Sequence, residues 1–498
     1  MAEQIEIRSA DHSALDWIRQ YSPFQELEST ELEKVWPHLK RWRYRAGEEV
    51  VQEHVVSTSA YFVLNGRLAL IKFDRVTDQF NAGGFFGEIS LLDQKPRSGT
   101  IVAEIDSDVL EISKACLDEL SRTDSVVALK LYRRLALYMT EYVRNSASLY
   151  QEMDVLLVQD GGCAPGYNPV TAFVTEYLEK QGRKVFIAAT GFKSIVHNHD
   201  DDYRCLISDE HEFRHLEHIP GVIHSAPLRE ARGAAFRTER FPEFKEEALQ
   251  QKAAVNLAER KVKAVIAIGG NGTFKGIRSL TRFLPEQVQT FFIPVTIDSD
   301  VLGSDCIGEY TGVEMGAEKI RCYMADAHTH HRCYVIEMMG ADGGFHALHS
   351  CLGAGADLAV LPNSEYDHLA IARALNERDG GAVVVVAEGY KKQERKDQNY
   401  TGNAAEFFRD EIMKTGVAMK LRLVCESFSR DIRGAAPNNL DIMLSQRMAR
   451  KVTLMLTAGM TQQMPAVLSG KEYNIPFSDI TTSNSVESEL ASLSNKLL

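Results

Sequence analysis

The sequence predicts a multidomain protein in which an N-terminal all-β roll with flanking helices precedes an α/β body. Three observations support this class of fold. A chain of 498 residues is too long for one comfortable core. From about Phe24 to Glu111, short strand-like runs alternate with turns. After Gln151, apolar runs of strand length end abruptly in glycine or polar residues, which is typical of buried parallel strands.

Composition narrows the class of protein further. With 44% hydrophobic and 25% charged residues the chain is typical of a globular protein. The net charge of -13 argues against a nucleic-acid partner. The eight cysteines show no CxxC spacing, which favours reduced thiols. We find no secretory signal and no apolar run long enough to span a bilayer, so a cytoplasmic location without membrane contact is expected.

A helix is predicted between the two parts, over Val126 to Tyr150. Its apolar residues recur at spacings of three and four and therefore share one face; they are Val127, Leu131, Leu135, Tyr138 and Tyr142. This face predicts a helix that packs on its own domain, and a dimer seam is the alternative.

The stretch "GFFGEISLLDQKPRSGT" at 84–100 carries groups that suit a small anion. Gly83, Gly84 and Gly87 form a turn with accessible backbone N–H groups. Glu88 can accept hydrogen bonds from a diol, and Arg97 can form a forked contact with a phosphate. Together these groups suit a ribose that bears a single phosphate.

With "YFVLNGRLAL", "FGEISLL" and "PRSG", residues 20–145 resemble the cyclic-nucleotide-binding domain family. The resemblance implies a roll followed by a long C-terminal helix. It implies that Glu88 binds the ribose hydroxyl and Arg97 the cyclic phosphate, with Ser98 and the Gly87 backbone assisting. Cyclic AMP and cyclic GMP both stay open as the ligand, and a roll that has lost its ligand is the alternative.

The body carries six motifs in order: "GGCAPGYN" at 161–168, "IGGNGTFKG" at 268–276, "PVTIDSDVLGSD" at 294–305, "EMMGADGGFHA" at 337–347, "VVVAEG" at 384–389 and "RDIRGAAPNNLD" at 430–441. The first of them, a turn between a strand and a helix, can hold phosphate on its backbone N–H groups. The set resembles the phosphofructokinase family. This implies a catalytic domain over 152–475, with two lobes and mainly parallel sheets, and a tail over 476–498.

The resemblance also implies roles for single residues. Asp298 is the catalytic base for the 1-hydroxyl of fructose 6-phosphate, Asp300 is the second carboxylate, and Thr296 contacts the sugar or the transferred phosphate. The sugar phosphate is bound by Arg332 (from a neighbouring subunit), Met339, Gly340, Glu388, Arg430 and Arg433. The nucleotide is bound by Gly162, Arg232, Gly270, Asn271, Gly272 and Thr273. Asn271 and Asp300 are the expected Mg²⁺ ligands.

The chain departs from the family pattern at two charged positions. Asn271 replaces a carboxylate directed at magnesium, and Ala341 replaces an arginine, which removes a cation that stabilises transition-state charge. Gly272 favours ATP over pyrophosphate as the donor, because pyrophosphate users carry an aspartate there.

The place of the family's allosteric site also differs. Ala172 and Glu176 stand where short bacterial members carry arginines that bind nucleotide effectors. We therefore expect no cation for an anionic effector there, and the N-terminal roll becomes the expected regulatory input. The segment "YKKQERKD" at 390–397 is predicted to be an exposed charged loop.

The sequence thus predicts a homo-oligomer, dimer or tetramer, that acts in glycolysis as a phosphofructokinase-like phosphotransferase regulated by a cyclic nucleotide. The expected partners are fructose 6-phosphate, ATP with Mg²⁺, and cyclic AMP or cyclic GMP. The alternatives are a catalytically degenerate sensor of sugar phosphate or nucleotide, and a pyrophosphate-dependent phosphofructokinase.

Overall fold

The structure is a computed structural model. It describes residues 3–5, 12–21, 23–72, 75–208, 213, 216, 219, 221–362, 364–378, 380–427, 429–482 and 488–497. Within the residues it describes, no helix is long and apolar enough to cross a membrane.

The N-terminal part is an antiparallel β roll made of two sheets. Their strand orders are β1-β2-β9-β4-β7 and β3-β8-β5-β6. The strands are β1 Glu3–Ile5, β2 Lys40–Tyr44, β3 Glu49–Val51, β4 Ser59–Asn65, β5 Arg67–Lys72, β6 Arg75–Asn81, β7 Phe85–Phe86, β8 Thr100–Ala103 and β9 Ser107–Ser113. The central strands β4 and β9 are buried on both faces: Phe62 and Leu110 belong to one apolar cluster, and their neighbours Val63 and Val109 belong to another, as the period of two in a pleated strand requires.

Among the residues described here, five α-helices flank the roll: α1 His12–Ile18, α2 Ser29–Val35, α3 Glu88–Asp93, α4 Lys114–Thr123 and α5 Ser125–Leu149. Val127, Leu131 and Leu135 of α5 are buried in the core of the roll. The Tyr138 hydroxyl donates to the backbone carbonyl of Phe85 at 3.0 Å. The prediction that this helix packs on its own domain is confirmed; the side chain of Tyr142 lies outside the described residues.

The described part of the body contains twelve strands: β10 Val155–Gln159, β11 Val185–Ala188, β12 Tyr203–Ile207, β13 Val222–His224, β14 Ala264–Gly269, β15 Gln289–Pro294, β16 Arg332–Met338, β17 Leu358–Val360, β18 Ala382–Ala387, β19 Arg422–Ser427, β20 Gln463–Leu468 and β21 Lys471–Pro476. An eight-stranded sheet has the order β13-β12-β11-β10-β14-β15-β20-β21, and a four-stranded sheet has the order β17-β18-β16-β19.

The pairing in these sheets is mainly parallel. In the larger sheet β10, β14, β15 and β20 run parallel, and only β21 pairs antiparallel among the strand pairs that the structure describes. All three pairs of the smaller sheet are parallel. Strands such as β10, β14 and β18 are buried along their whole length, because they are covered on both faces. The predicted α/β class is confirmed.

The helices of the body are α6 Tyr167–Glu179, α7 Phe192–His197, α8 Glu247–Glu259, α9 Asn271–Thr281, α10 Glu309–His330, α11 Phe345–Ala354, α12 His368–Glu377, α13 Lys392–Asp397, α14 Ala404–Lys414, α15 Ser429–Arg433, α16 Asn439–Thr457 and α17 Ser488–Leu493. Contacts between residues group the chain into two compact units. The first contains residues 1–153, 184–186 and 199–224, and the second contains 154–183, 187–198 and 225–498.

Candidate active site

A cavity of about 730 Å³ opens at the carboxyl ends of three adjacent strands of the larger sheet. We call it the first cavity. Residues that follow β10, β14 and β15 line it: Asp160, Gly161, Gly162, Gly270, Asn271, Gly272, Thr273, Val295, Thr296, Asp298 and Asp300. Ligands of open parallel sheets bind at this edge. The three expected catalytic residues therefore line one cavity together with all the expected nucleotide-binding residues except Arg232.

The turn from β14 into α9 presents a helix N-terminus to the first cavity. Gly269 has a φ of +159°, and a Cβ there would lie 2.5 Å from the Asp160 carbonyl oxygen. Only glycine permits this close approach of two neighbouring strand ends. The Thr273 hydroxyl donates to the same carbonyl at 2.8 Å. The first N–H groups of the 11-residue helix have no partner inside the helix and suit a phosphate.

Arg433 contacts three segments of the chain that meet at the first cavity. Its Nη2 lies 3.4 Å from Asp298 Oδ1, and its Nη1 donates to the Cys163 carbonyl oxygen at 3.2 Å. Its Nε lies 3.3 Å from Met339 Sδ. Burial raises the pKa of Asp298, and the Arg433 guanidinium opposes that rise. A carboxylate whose pKa lies nearer to neutrality is better suited to accept a proton.

Asn271 and Asp300 form a pair with two free oxygens. The Asn271 amide hydrogen-bonds to the Asp300 carboxylate, and both Asn271 Oδ1 and Asp300 Oδ1 are buried without a hydrogen-bond partner among the described residues. Burial raises the pKa of Asp300, while Asn271 and the Lys275 ammonium oppose the rise. Mg²⁺ prefers oxygen ligands, so these two unpartnered side-chain oxygens fit this ion.

Three phenylalanines form one wall of the first cavity. Phe192 and Phe244 stack with ring centroids 4.4 Å apart and an interplanar angle of 12°. Phe241 and Pro242 extend this wall. An apolar wall of this kind suits a flat aromatic ring, whereas inorganic pyrophosphate offers no apolar surface to bury.

A second cavity of about 810 Å³ lies at the carboxyl end of the smaller sheet. We call it the second cavity. Its lining includes Met339, Ala341, Glu388 and Arg433, and Arg433 lines both cavities. Glu388 Oε1 accepts from the backbone N–H groups of Gly340 at 3.2 Å and Ala341 at 2.6 Å. These bonds fix the Glu388 side chain beside the strand ends.

The prediction of an exposed charged loop over 390–397 is correct in its exposure and wrong in its conformation: Lys392, Gln393, Lys396 and Asp397 are exposed, whereas Tyr390 is buried. The segment forms helix α13, and Lys392, Arg395 and Lys396 line the second cavity. The sequence pattern was misleading because a six-residue helix is too short to show an amphipathic period.

Three of the expected binding arginines are not among the residues lining these two cavities: Arg232, Arg332 and Arg430. Arg232 and Arg430 are exposed. Arg332 lies 3.4 Å from the Tyr334 hydroxyl and 3.9 Å from Asp326. The family resemblance implies that Arg332 acts in the site of a neighbouring subunit. A single chain does not test that role, which stays a prediction.

Sequence reasoning missed several residues that line the first cavity, among them the charged residues Arg240 and Asp160. Arg240 also lines the second cavity. Its sequence signal was its position directly before the Phe241-Pro242 pair of the aromatic wall. Asp160 directly follows β10 and is 9% exposed, and burial raises its pKa to about 6. Its position at a strand end was the available signal.

The expectation that no cation lies beside Glu176 is wrong. Arg229 Nη2 contacts Glu176 at 2.6 Å, and Lys180 contacts it at 2.8 Å. Arg229 also lies over the Phe173 ring at 5.5 Å from its centroid. Arg229 comes from a segment distant in sequence, so the pattern of helix α6 alone did not reveal it.

In the N-terminal roll, Arg97 and Glu88 lie buried at the turn predicted to bind an anion. Arg97 donates from Nη1 to the Gly87 carbonyl oxygen at 3.2 Å and from Nη2 to the Ser57 hydroxyl at 2.7 Å. A further bond joins Nη2 to the Ser59 carbonyl oxygen. Arg97 Nε is buried and has no hydrogen-bond partner in the part of the chain that the structure describes. A donor is therefore available for an anionic ligand.

Glu88 begins helix α3 after Gly87, whose φ is +84°. Burial raises the pKa of Glu88, and Arg97 opposes this rise. A Cβ at position 87 would lie 2.4 Å from Arg97 Nη1, so this turn needs glycine. Ser98, the fourth expected residue, is exposed beside Arg97.

A buried aspartate of strand β6 joins the roll to the segment 221–224 within the first compact unit. Asp78 Oδ1 accepts from the Gly221 N–H at 3.3 Å. The next residue, Gln79, accepts from the His224 N–H at 2.8 Å. Burial raises the pKa of Asp78 to about 7; Arg204 opposes the shift, and the Glu88 carboxylate adds to it.

This shift predicts a pH-dependent stability. Between pH 4 and pH 7 the folded protein holds a proton on Asp78 that the unfolded chain has lost, so the stability supplied by Asp78 falls as the pH rises. Asp78→Asn keeps the acceptor oxygen and removes this titration. We expect the stability of the variant relative to the wild type to rise between pH 5 and pH 7, by on the order of 2–3 kcal/mol, and to level off at higher pH.

Thermal unfolding of both proteins from pH 5 to pH 8 measures this difference. The exposed Asp106→Asn of the same roll is the matched control and should follow the wild-type profile. Parallel profiles for Asp78→Asn and the wild type would contradict the prediction.

The fold and the two sites together define a class of protein: an α/β enzyme for group transfer at a parallel-sheet edge, preceded by a β roll that carries a buried Glu–Arg cassette. The phosphofructokinase family model matches residues 154–456, and the cyclic nucleotide-binding domain model matches residues 41–124. The chain belongs to the phosphofructokinase family, and it is a phosphofructokinase-like enzyme.

Curated relatives share the body. The ATP-dependent 6-phosphofructokinase of Lactobacillus acidophilus is 30% identical over 267 residues, which cover 52% of this chain and 73% of the relative. The ATP-dependent 6-phosphofructokinase of Thermotoga neapolitana is 26% identical over 349 residues, which cover 69% of this chain and 99% of the relative.

Solved structures share the fold. The pyrophosphate-dependent phosphofructokinase of Nitrosospira multiformis matches with a TM-score of 0.56 and 18% identity, over 68% of this chain and 86% of the other. The Pichia pastoris phosphofructokinase matches with a TM-score of 0.55 and 22% identity, over 66% of this chain and 35% of the other.

Proposed function

We propose that the protein is a 6-phosphofructokinase that transfers the terminal phosphate of ATP to the 1-hydroxyl of fructose 6-phosphate and that a cyclic nucleotide regulates it. One observation carries the catalytic part of this proposal. Asp298, a partly buried carboxylate with a raised pKa, contacts Arg433, and Arg433 lines both cavities. A base at this position can face an acceptor in the second cavity and a donor in the first.

The reaction follows from these groups. Asp298 takes the proton of the sugar hydroxyl while the oxygen of that hydroxyl bonds to the terminal phosphorus of ATP. The bond from that phosphorus to the bridging oxygen breaks, and ADP leaves. Arg433 and Arg240 line both cavities, so their charges oppose the negative charge that spreads over the transferred group. Glu388 accepts hydrogen bonds from the sugar hydroxyls.

Asn271 and Asp300 would hold Mg²⁺ through their unpartnered oxygens. The described residues contain no group of three or more His, Cys, Asp or Glu arranged for a metal. Mg²⁺ binding through one or two carboxylates, with substrate phosphates supplying further ligands, is the ordinary case for this ion. The ion, when bound, neutralises charge on the donor phosphates.

The aromatic wall of the first cavity supports ATP as the donor. If an adenine ring packs there, Phe241→Ala should raise the KM for ATP about tenfold, because stacking on an aromatic ring contributes about 0.5–1.5 kcal/mol beyond its burial. Phe283→Ala is the control, since Phe283 is also partly exposed and lies outside the lining of the first cavity. An unchanged KM for ATP would contradict this placement of the base, and turnover with pyrophosphate alone would identify the pyrophosphate-dependent alternative.

For regulation, we propose cyclic AMP or cyclic GMP as the ligand of Glu88, Arg97, Ser98 and the Gly87 backbone. The Glu88 charge acts on Asp78, and Asp78 accepts a hydrogen bond from Gly221. Residues 221–224 fall inside the range that the phosphofructokinase model matches. The Asp78–Gly221 hydrogen bond is the contact through which we propose that ligand binding in the roll acts on that range.

The proposed enzyme is a cytoplasmic homo-oligomer, either a dimer or a tetramer. Arg332, which lies outside both cavities of its own chain, is the residue that one copy would contribute to the sugar phosphate of its neighbour.

A coupled assay of the purified protein tests the proposal. It measures formation of fructose 1,6-bisphosphate with ATP or pyrophosphate, with and without each cyclic nucleotide. We expect turnover with ATP and Mg²⁺, and a change in rate on addition of one cyclic nucleotide.

A second candidate function is a non-catalytic sensor of sugar phosphate or nucleotide. Asn271 and Ala341 favour it, because both replace charged family residues at the strand ends. Binding of fructose 6-phosphate and ATP by calorimetry, without turnover under any condition of the assay, would establish the sensor.

A further inference from the structure

The second cavity is strongly basic on the wall that helix α13 supplies. The described residues of its lining include five cationic side chains and a single carboxylate, that of Glu388; the cations are Arg240, Lys392, Arg395, Lys396 and Arg433. Such an excess of positive charge suits a ligand that carries a phosphate dianion.

Two of these cations are already committed to the protein. Arg433 is bound to Asp298, the Cys163 carbonyl and Met339 at the wall shared with the first cavity. Arg395 donates from Nε to the Tyr390 carbonyl oxygen at 3.0 Å and from Nη2 to the Glu388 carbonyl oxygen. Arg395 is therefore a positioning residue that holds the turn carrying Glu388.

Lys392 and Lys396 are less committed. They lie four residues apart on α13 and so share one face of the helix. The ammonium of Lys392 contacts Asp342 Oδ1 at 2.6 Å, and both side chains are 48% exposed. An exposed ion pair of this kind contributes little, so a phosphate dianion can replace the Asp342 carboxylate as the partner of Lys392.

We propose that Lys392 and Lys396 bind the phosphate of the acceptor sugar. The inference rests on the proposed function and deepens it, because it specifies how the acceptor sugar is oriented in the second cavity. The phosphate lies against α13, Glu388 contacts the ring hydroxyls, and the reacting hydroxyl points toward Arg433 and Asp298. The residues that follow Glu388 thus contribute a specificity element, which selects phosphorylated over free sugars.

The double variant Lys392→Gln/Lys396→Gln tests this inference. Titration calorimetry with fructose 6-phosphate should show affinity about 100-fold below that of the wild type, because two charge-assisted hydrogen bonds are lost. The KM for fructose 6-phosphate should rise by a similar factor, and kcat should fall far less. Lys392→Arg/Lys396→Arg should recover most of the affinity.

Lys391→Gln is the matched control. Lys391 precedes α13, contacts Glu394 at 3.3 Å and Glu411 at 3.8 Å, and is not among the residues lining the second cavity. We expect it to bind fructose 6-phosphate as the wild type does. Thermal unfolding of each variant checks that the exposed substitutions leave the fold intact.

Inorganic phosphate is the second probe, and it separates this inference from the proposed function. Phosphate binding that the double variant loses, without binding of fructose 6-phosphate to the wild type, would retain the lysine site and refute the proposed acceptor. Equal fructose 6-phosphate affinity in the double variant and the wild type would overturn the lysine site and leave the proposed function standing. A wild type that binds neither probe would overturn both.

Discussion

Asp298→Asn should reduce turnover by roughly 10²- to 10⁴-fold, the contribution of a positioned general base. Affinity for fructose 6-phosphate should change little, because the base acts mainly in the transition state. The amide also loses the charge that faces Arg433. Initial rates in the coupled assay and calorimetric binding of the sugar phosphate measure the two quantities separately.

Asp305→Asn is the matched control for Asp298. Asp305 is a carboxylate of the same loop, accepts from the Tyr310 hydroxyl at 3.2 Å, and lines neither cavity of the candidate active site. In the wild type, the raised pKa of Asp298 should move the acidic limb of kcat/KM above the usual range of an aspartate, so that the rate increases with pH as Asp298 loses its proton. Equal turnover in Asp298→Asn and the wild type would show that another group is the base.

Arg97→Ala should weaken cyclic-nucleotide binding by roughly 100-fold or more, since charge-assisted hydrogen bonds to a phosphate are lost together. Arg97 is 5% exposed, so a ligand charge that it meets is poorly screened. Calorimetry with cyclic AMP and with cyclic GMP measures the affinity and shows which of the two ligands is preferred.

The stability of the roll must be controlled in this experiment, because Arg97 also bonds to Ser57, Ser59 and Gly87. Arg97→Lys keeps the charge without the forked geometry and should bind with intermediate affinity. Arg122→Ala, at a side chain 75% exposed on helix α4, should bind as the wild type does. A wild type without any heat of cyclic-nucleotide binding would identify a roll that has lost its ligand.

Motifs at strand ends were predictable from sequence because parallel strands bring their carboxyl ends to one edge. Asp298, Asn271 and Gly162 lie on three separate segments, and they line one cavity as that rule implies. Glu88 and Arg97 were predictable for a related reason: nine residues separate them, and a tight turn with one short helix is all that connects them.

Residues without a strand-end motif were not predictable in the same way. Arg240 and Arg232 both follow β13 on a long connection between strands, and only the folded path of that connection decides that Arg240 reaches the cavities. Arg229 meets Glu176 through a comparable long-range approach. The pattern of charges along such a connection does not reveal which of its side chains face a cavity.

The sequence by itself determined the roll, the parallel α/β body and the family, because alternation of apolar residues and short glycine motifs are local patterns that follow from backbone geometry. Only the tertiary structure decided that helix α13 turns a charged segment toward the second cavity and that Asp78 lies buried against Gly221. The physical reason is that burial and charge neutralisation depend on which distant segments pack together, and these segments are far apart in the sequence.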